Sequence, residues 1–168
     1  GVSGRRWIID PLDGTRAYIR GIPTYSVLVA LEEDECVVVG VIHLPELELT
    51  CCARKGGGAF CNGSRIHVSS EADMRSAIGS ALGFVQRSDT PEGRALFSLM
   101  QQWDYGYGFM DAYSYVCVAC GKLDLCVNLL DKPWDNAAGS CIVTEAGGEF
   151  TDIKGVPSVY NGSTVLSN

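Results

Sequence analysis

The sequence lacks any long apolar run. None of its apolar stretches approaches the ~20 residues that a membrane-spanning helix needs. The first residues, from Gly1 to Arg6, do not contain the apolar core of a secretion signal. These absences argue against a membrane-bound or secreted protein and predict an intracellular chain. We expect a cytoplasmic location, or an organelle if a targeting segment lies upstream.

Clusters of basic residues are also missing. The 13 Lys and Arg residues are scattered, and the 20 Asp and Glu residues bring the formal net charge to -7. Proteins hold nucleic-acid backbones with grouped Lys and Arg, so we do not expect a nucleic-acid partner. A small phosphorylated metabolite remains compatible with this charge, because bound metal ions would supply the positive charge.

The cysteines do not form the pattern of a disulfide framework. The chain has eight, but it is not short and they lie within apolar patterns, which favours reduced core thiols. Cys117 and Cys120 have the spacing of a redox or zinc pair. No second pair exists and the stretch is typical of a helix interior, so we expect packing. Cys51 and Cys52, adjacent in a strand-like run, should point to opposite faces.

Length and pattern predict one mixed domain. The 168 residues contain no internal repeat, low-complexity tract or linker, and we interpret them as a single domain, 1–168. Residues 1–85 are β-rich and residues 86–168 alternate helix with strand, which supports an α/β or α+β fold. The predicted elements are a hairpin of Tyr25 to Leu31 and Val37 to His43 around an acidic turn, a strand from Leu47 to Ala53, a helix from Thr90 to Trp103, a helix from Ala112 to Cys120, a strand from Leu123 to Leu129, a helix from near Asp135 to Gly147, and strands at 149–151 and 164–167.

The most informative motif is Trp-Ile-Ile-Asp-Pro-Leu-Asp-Gly-Thr at 7–15. Asp10 falls where an apolar strand should end, and Pro11 blocks its continuation, so the chain should turn and bring Asp13 beside Asp10. Gly14 and Thr15 then lie at a helix start, which favours an anion. The motif indicates a divalent-metal and phosphate site. The alternative is a strand, a turn and an N-cap aspartate.

This motif resembles the first signature of the inositol monophosphatase superfamily of lithium-sensitive, magnesium-dependent phosphatases. Trp-Asp-Asn-Ala-Ala-Gly at 134–139, followed by residues 142–148, resembles the second signature, and residues 54–63 resemble the family's glycine-rich hairpin. The resemblance covers nearly the whole chain. It implies a layered α/β sandwich of the inositol monophosphatase and sugar phosphatase type, N-terminally truncated, and a homodimer, since family members are commonly dimers.

The resemblance also assigns the site residues. It implies that Asp10 bridges Mg²⁺ ions, that the Leu12 carbonyl binds one ion, and that Asp13 and Asp135 bind another. Gly14 and Thr15 would hold the phosphate, and Thr15 would orient the attacking water, so that Asp10, Asp13 and Thr15 are the catalytic candidates. Asp135 would also face the substrate, although it could instead only cap its helix. Glu145, late in that helix, is expected to face solvent or pair with a base.

Two further segments bear on the substrate. Residues 20–23 and 110–115 resemble the histidinol-phosphate phosphatase branch, and Asn128 stands where inositol enzymes carry a glutamate that contacts the sugar. Asp111 is suited to accept a hydrogen bond from a substrate amine or hydroxyl, or to cap its helix. Arg16 and Arg20 would attract an anionic substrate or be solvated. The leading hypothesis is a magnesium-dependent phosphomonoesterase similar to histidinol phosphatase, with inositol or sugar phosphates as alternatives.

One family feature is not found within the 168 residues. In the family, a Gly-Glu-Glu motif tens of residues before the first signature supplies a metal-binding glutamate, and two helices precede that signature. A second alternative is therefore a metal- or phosphate-binding fragment or scaffold with impaired catalysis. Without the two helices, one face of the hairpin of Tyr25 to Leu31 and Val37 to His43 should be uncovered, and the chain should associate.

Overall fold

The residues that the structure describes form two sheets. A computed structural model describes residues 4–108 and 111–168 of the chain. The first sheet is an antiparallel meander whose six strands are neighbours in sequence order. Its strands are β1 (Arg5–Asp13), β2 (Ser26–Glu33), β3 (Cys36–Leu44), β4 (Leu49–Arg54), β5 (Gly58–Cys61) and β6 (Ser64–Ile66). A short helix, α1 (Thr15–Arg20), connects β1 to β2.

The second sheet is mixed. Its order is β10-β11-β9-β7-β8, with β7 parallel to both β8 and β9 and the remaining pairs antiparallel. Its strands are β7 (Ile78–Leu82), β8 (Tyr105–Tyr107), β9 (Leu125–Asn128), β10 (Glu149–Thr151) and β11 (Thr164–Ser167). The helices of this part are α2 (Pro91–Met100), α3 (Ala112–Ala119) and α4 (Pro133–Glu145).

Helices α3 and α4 form a layer between the sheets. They contact each other, and both contact strands of the first and second sheets, whereas α2 contacts β7. Two glycines allow α4 to pack closely against β3 and against α3. A Cβ on Gly40 would clash with the carbonyl oxygen of Ala138 in α4, and one on Gly139 would lie 2.7 Å from the Tyr115 ring of α3. This stacking of sheet, helices, sheet and helix confirms the expected layered α+β sandwich.

The two faces of the first sheet differ. The inner face, with Leu28, Ala30 and Ile42, is buried against α4. On the outer face Trp7 and Ile9 are 62% and 53% exposed. Within the described residues the uncovered part of this face is therefore β1, whereas the hairpin residues beside it, Val29 and Val41, are half-buried and not exposed as the sequence predicted. None of the helices in those residues combines the length and the apolar character that a membrane crossing requires.

Several predicted boundaries need correction. The second helix ends at Met100 rather than Trp103, because the Trp103 ring turns inward against Gly79, where a Cβ would lie 2.7 Å from it. The last helix begins at Pro133. The strand predicted from Leu47 to Ala53 is β4 and begins only at Leu49, because Pro45–Leu47 forms a 3-10 turn. Strands β10 and β11 have the expected bounds, β9 is shorter than expected, and β7 and β8 were not expected.

Two acidic residues have other roles than the sequence suggested. Glu32 lies in β2 and not in the acidic turn predicted from the sequence: it is buried near the end of the strand and accepts hydrogen bonds from Arg6, at 2.6 Å, and from the Tyr160 hydroxyl. The expectation for Glu145 was also wrong. Its carboxylate accepts the backbone N–H groups of Gly56 at 2.7 Å and Gly58 at 2.8 Å, so it joins the end of α4 to the glycine-rich hairpin.

The cysteines all fall within the described residues and are free thiols. Cys51 is buried and Cys52 is exposed, which confirms that these neighbours point to opposite faces of the sheet. Cys117 lies within α3 and is buried, as expected for a helix interior, while Cys120 caps the same helix.

Candidate active site

A cavity of about 870 Å³ opens where the end of β1 meets the first turns of α1, α3 and α4 and the ends of β7 and β9. All the site residues predicted from the sequence line it, and so do Arg16 and Arg20. The predicted residues are Asp10, Leu12, Asp13, Gly14, Thr15, Asp111, Asn128 and Asp135.

Three carboxylates form the centre of this cavity. Asp10, Asp13 and Asp135 each offer an oxygen, and these oxygens lie within 4.8 Å of one another. Carboxylate oxygens are hard ligands that suit Mg²⁺ or Ca²⁺ rather than soft ions. The donor set therefore fits a hard divalent cation, and these three residues, with the Leu12 carbonyl, would hold it.

A bulge aligns Asp10 with Asp13. The sequence predicted that the strand ends at Asp10. The structure shows that the chain does not leave the sheet there. Instead β1 continues to Asp13, and its register with β2 shifts between the two aspartates. In a regular strand, residues three apart face opposite sides, and one extra residue returns the second to the side of the first. The Leu12 N–H donates to Asp10 Oδ1 at 2.9 Å, which fixes the Asp10 side chain inside the bulge.

Asp13 is the most buried member of the group. Its Oδ2 accepts hydrogen bonds from the Ser26 hydroxyl and from the Ala112 backbone N–H, both at 3.0 Å. Burial raises the pKa of Asp13 to about 7, and the charges of Asp111 and Asp10 add to the rise, while the two hydrogen bonds oppose it. Burial and neighbouring negative charge thus both disfavour the ionised form of Asp13.

Asp135 caps its helix and also lies beside Asp10 and Asp13. Its Oδ2 accepts the Lys132 backbone N–H at 2.7 Å, which caps α4, and the same side chain contributes an oxygen to the three-carboxylate group. Burial raises the pKa of Asp135 to about 6, the bond from Lys132 opposes the rise, and the Asp10 charge adds to it. Capping is therefore compatible with the place of this carboxylate in the three-carboxylate group.

Gly14 and Thr15 form the wall beside these carboxylates. Gly14 has a φ of 74°, and a Cβ there would lie 2.8 Å from Asp111 Oδ2 and 3.3 Å from the Tyr25 Cα. The Thr15 hydroxyl donates to the Leu12 carbonyl oxygen at 3.1 Å, which couples the first residue of α1 to the bulge. Glycine is required here by both the backbone conformation and the space.

Asp111 does not cap its helix with its side chain. It precedes α3 but makes no side-chain capping bond, and its backbone has φ 55° and ψ -147°, a strained region for a residue with a Cβ. Its carboxylate instead approaches Gly14 inside the cavity. Burial raises its pKa, while Arg16 lowers it. Asp111 therefore lines the cavity and does not act as a side-chain N-cap. Met110, from the same motif, lies outside the described residues.

A buried network behind the cavity was missed by the sequence reasoning. The Tyr115 hydroxyl donates to Asp131 Oδ2 at 2.6 Å, and the Asn128 amide donates to Tyr115 at 3.1 Å and to Asp131 Oδ1. Burial raises the pKa of Asp131 to about 7, partly opposed by bonds from Thr164 and Tyr115. The Asn128 amide is thus engaged within the protein. Asp131 could have been found from its place just after β9, since strand ends collect site residues.

The comparisons with known proteins agree with this geometry. The model of the inositol monophosphatase family matches residues 1–168. A histidinol-phosphatase from Chlorobaculum parvum is 38% identical over 168 residues, which cover 98% of this chain and 64% of that protein. A fructose-1,6-bisphosphatase/inositol-1-monophosphatase from Thermotoga maritima is 38% identical, with 98% of this chain and 63% of that protein covered. The chain thus spans less than two thirds of the length of these relatives.

Solved structures show the same fold. An inositol monophosphatase from Thermotoga maritima has a TM-score of 0.88 at 35% identity, with 100% of this chain and 65% of that chain covered. One from Zymomonas mobilis has a TM-score of 0.92 at 28% identity, with 99% of this chain and 66% of that chain covered. By sequence and by fold, the chain belongs to the inositol monophosphatase family.

Proposed function

We propose that this chain carries the catalytic centre of a magnesium-dependent phosphomonoesterase that acts on a small phosphorylated metabolite. The observation that carries the proposal is the group of three oxygens from Asp10, Asp13 and Asp135, within 4.8 Å of one another at the centre of the cavity. When bound there, divalent ions would neutralise phosphate charge and favour ionisation of a water.

The chain's own residues would position the reactants. Ser26 and Ala112 hold Asp13 in place, and Lys132 holds Asp135, so both carboxylates are pre-oriented before a ligand arrives. Thr15, exposed at the cavity wall, would orient the attacking water, and the backbone at Gly14 would let the phosphate approach closely. Arg16 and Arg20 add positive charge near the cavity mouth.

We propose that the site favours histidinol phosphate, whose amine is positively charged, over phosphates of uncharged polyols. Its ammonium group would pair with the Asp111 carboxylate, which faces the cavity instead of its helix. The Chlorobaculum parvum relative is a histidinol-phosphatase, and so is one from Mycobacterium tuberculosis that is 39% identical over 176 residues. The alternatives are an inositol or sugar phosphate, as the names of other relatives suggest, and a fragment that binds metal and phosphate without turnover.

Phosphate release would test the activity. The purified chain is incubated with histidinol phosphate, inositol monophosphate or fructose 1,6-bisphosphate, with Mg²⁺ or EDTA, and free phosphate is measured. We expect Mg²⁺-dependent release, fastest from histidinol phosphate, and at least about a 100-fold loss in Asp10→Asn and Asp135→Asn but not in Asp104→Asn, an exposed control. Calorimetric Mg²⁺ binding without any release would leave only the binding function.

The substrate class has its own test. Asp111→Asn removes the charge that would pair with an ammonium group and keeps the size of the side chain. We expect the variant to lose about tenfold in kcat/KM for histidinol phosphate and to lose little for inositol monophosphate. An equal loss for both substrates would show that Asp111 does not bind the ammonium group.

A further inference from the structure

Three cysteines meet at the end of α3 that lies away from the carboxylates. The Sγ atoms of Cys51, Cys61 and Cys120 lie within 4.8 Å of one another. Cys51 is buried, and the other two are half-buried. Helix α3 begins with Ala112 beside Asp13 and ends at Ala119, and its eight residues span about 12 Å. The cluster of three cysteines is thus separate from the active-site cavity.

The fold, rather than a local motif, brings these thiols together. Cys51 in β4 and Cys61 in β5 are directly opposite each other in the antiparallel register, on the inner face of the sheet. Cys120 reaches them from the C-cap of α3. Cys117, which forms the conspicuous spacing with Cys120, is not part of the group and interacts with Tyr113 instead.

The geometry suits one metal ion. With Zn–S bonds of about 2.3 Å, sulfurs of a tetrahedral site lie about 3.8 Å apart, a separation that fits within the observed 4.8 Å limit. Thiolates select soft ions such as Zn²⁺ and reject Mg²⁺. Three cysteine thiolates with a water in the fourth position hold Zn²⁺ in some zinc-dependent deaminases.

The local charges favour an anionic sulfur. A hydrogen bond from Cys51, with further help from Cys61 and Lys122, lowers the pKa of Cys120 to about 7, although burial opposes this. These contacts favour the ionised form of Cys120, and all three thiols would release their protons when a metal binds. The exposed Lys122 would offset the remaining negative charge of a three-thiolate complex.

We propose that Cys51, Cys61 and Cys120 form a soft-metal site that binds one Zn²⁺ through three thiolates, independently of the proposed Mg²⁺ site. The competing roles are simple core packing and an oxidisable Cys51–Cys61 pair across the strands. Neither of those roles needs the third thiol to lie against the other two.

Cobalt(II) absorption tests the site directly. The reduced, metal-stripped chain is titrated with Co²⁺ under anaerobic conditions and then with Zn²⁺. We expect a near-ultraviolet thiolate-to-cobalt charge-transfer band that saturates at one equivalent and disappears when Zn²⁺ displaces Co²⁺. Oxygen ligands do not produce this band, so Co²⁺ at the carboxylates cannot imitate it. No band in the folded chain would overturn the proposal.

Matched variants assign the ligands. Cys61→Ser and Cys120→Ser should each weaken Co²⁺ binding by at least about 10- to 100-fold. Losses of that size follow even when a residue that only hydrogen-bonds to a metal ligand is removed. Cys117→Ser and Cys52→Ser, which change cysteines outside the group, should bind as the unaltered chain does. Unchanged affinity in both ligand variants, with circular dichroism showing that they are folded, would overturn the assignment.

A second measurement needs no variant. Iodoacetamide labelling of the unaltered chain is mapped by mass spectrometry with and without Zn²⁺. Zn²⁺ should slow the modification of Cys61 and Cys120 at least about tenfold and leave the exposed Cys36 and Cys52 unaffected. Equal labelling of Cys120 with and without Zn²⁺, or a Cys51–Cys61 disulfide that forms in the presence of excess Zn²⁺, would contradict the proposal.

Discussion

The Ala112 backbone N–H donates a 3.0 Å hydrogen bond to the Asp13 carboxylate, although 99 positions separate the two residues in sequence. Asp13 belongs to the first sheet, and Ala112 begins the helix that packs between the sheets. This bond therefore joins the two halves of the fold at a carboxylate of the candidate metal site. A substitution that displaces either half should therefore also displace the Asp13 carboxylate.

Replacing Asp13 by Asn should separate stability from metal binding. Above pH 7 the folded chain must hold an ionised Asp13 in a buried position, and the amide removes that charge while it keeps an acceptor for Ala112. We expect the free energy of unfolding without metal to rise by about 1 kcal/mol and the stabilisation by Mg²⁺ to be lost. Thermal unfolding with Mg²⁺ and with EDTA measures both, and a Mg²⁺ response equal to that of the unaltered chain would contradict the assignment.

Stability without metal should fall as pH rises from about 4 to 7. The pKa values of Asp13 and Asp131, about 7, and of Asp135, about 6, are raised above the usual 3.8, so the folded state retains protons that the unfolded chain has released. This contribution is fully present below the unfolded pKa and is lost as pH approaches the folded values. The lowered pKa of Glu145 acts in the opposite direction, but only at more acidic pH.

Mg²⁺ should reverse this trend, because the ion binds only ionised carboxylates. The increase in melting temperature that Mg²⁺ causes should therefore be larger at pH 8 than at pH 6. Scanning calorimetry across this range, with Asp104→Asn as a control, would test it. A Mg²⁺ effect that does not change with pH would show that the carboxylates of the cavity are not the binding groups.

Gly14→Ala should damage the site more than its backbone strain alone explains. The new Cβ would lie 2.8 Å from Asp111 Oδ2, at a φ of 74° that suits glycine. Gly21 is a matched control, because its φ is 68° but nothing lies within 4 Å of the added carbon. We expect both variants to lose about 1 kcal/mol of stability and only Gly14→Ala to lose Mg²⁺-dependent phosphate release. Equal activity in the two variants would exclude the steric explanation.

Glu145→Ala should loosen the glycine-rich hairpin. The substitution leaves the Gly56 and Gly58 N–H groups without their carboxylate partner, which should cost about 1–3 kcal/mol. Glu145→Gln keeps one acceptor oxygen and should cost less, and Glu149→Ala, at an exposed site, should cost little. Urea unfolding gives the three values, and a Glu145→Ala chain as stable as Glu149→Ala would mean that the bonds contribute nothing.

The outer face of the first sheet should make the chain associate. Trp7 and Ile9 are more than half exposed there, and an apolar surface of this kind promotes self-association. Ile9→Lys should lower the mass measured by light scattering. Phe97→Lys, which changes a residue 57% exposed on α2, should not. A monomer at high concentration before any substitution would remove the basis for this expectation.

Local patterns predicted the meander and much of the site. β-rich runs predicted β2 and β3, the turn at Pro11 predicted that Asp13 lies beside Asp10, and the resemblance of residues 134–139 to the family's second signature added Asp135 to the site. Chemistry that depends on distant partners was not predictable. Glu145 binds glycines 87 and 89 positions away. Neither that contact nor the meeting of Cys120 with Cys51 leaves a trace in sequence spacing.

The strand order of the two sheets also bears on how the chain folds. Each strand of the meander pairs with its neighbour in sequence, so its contacts are local and its loops are cheap to close. In the second sheet β9 must pair with β7 and β11 across longer stretches of chain, which slows assembly. We therefore expect the meander to form first, even during synthesis, with Asp10 and Asp13 already ordered. The cavity would be completed last, when α3 and α4 dock on the waiting sheet.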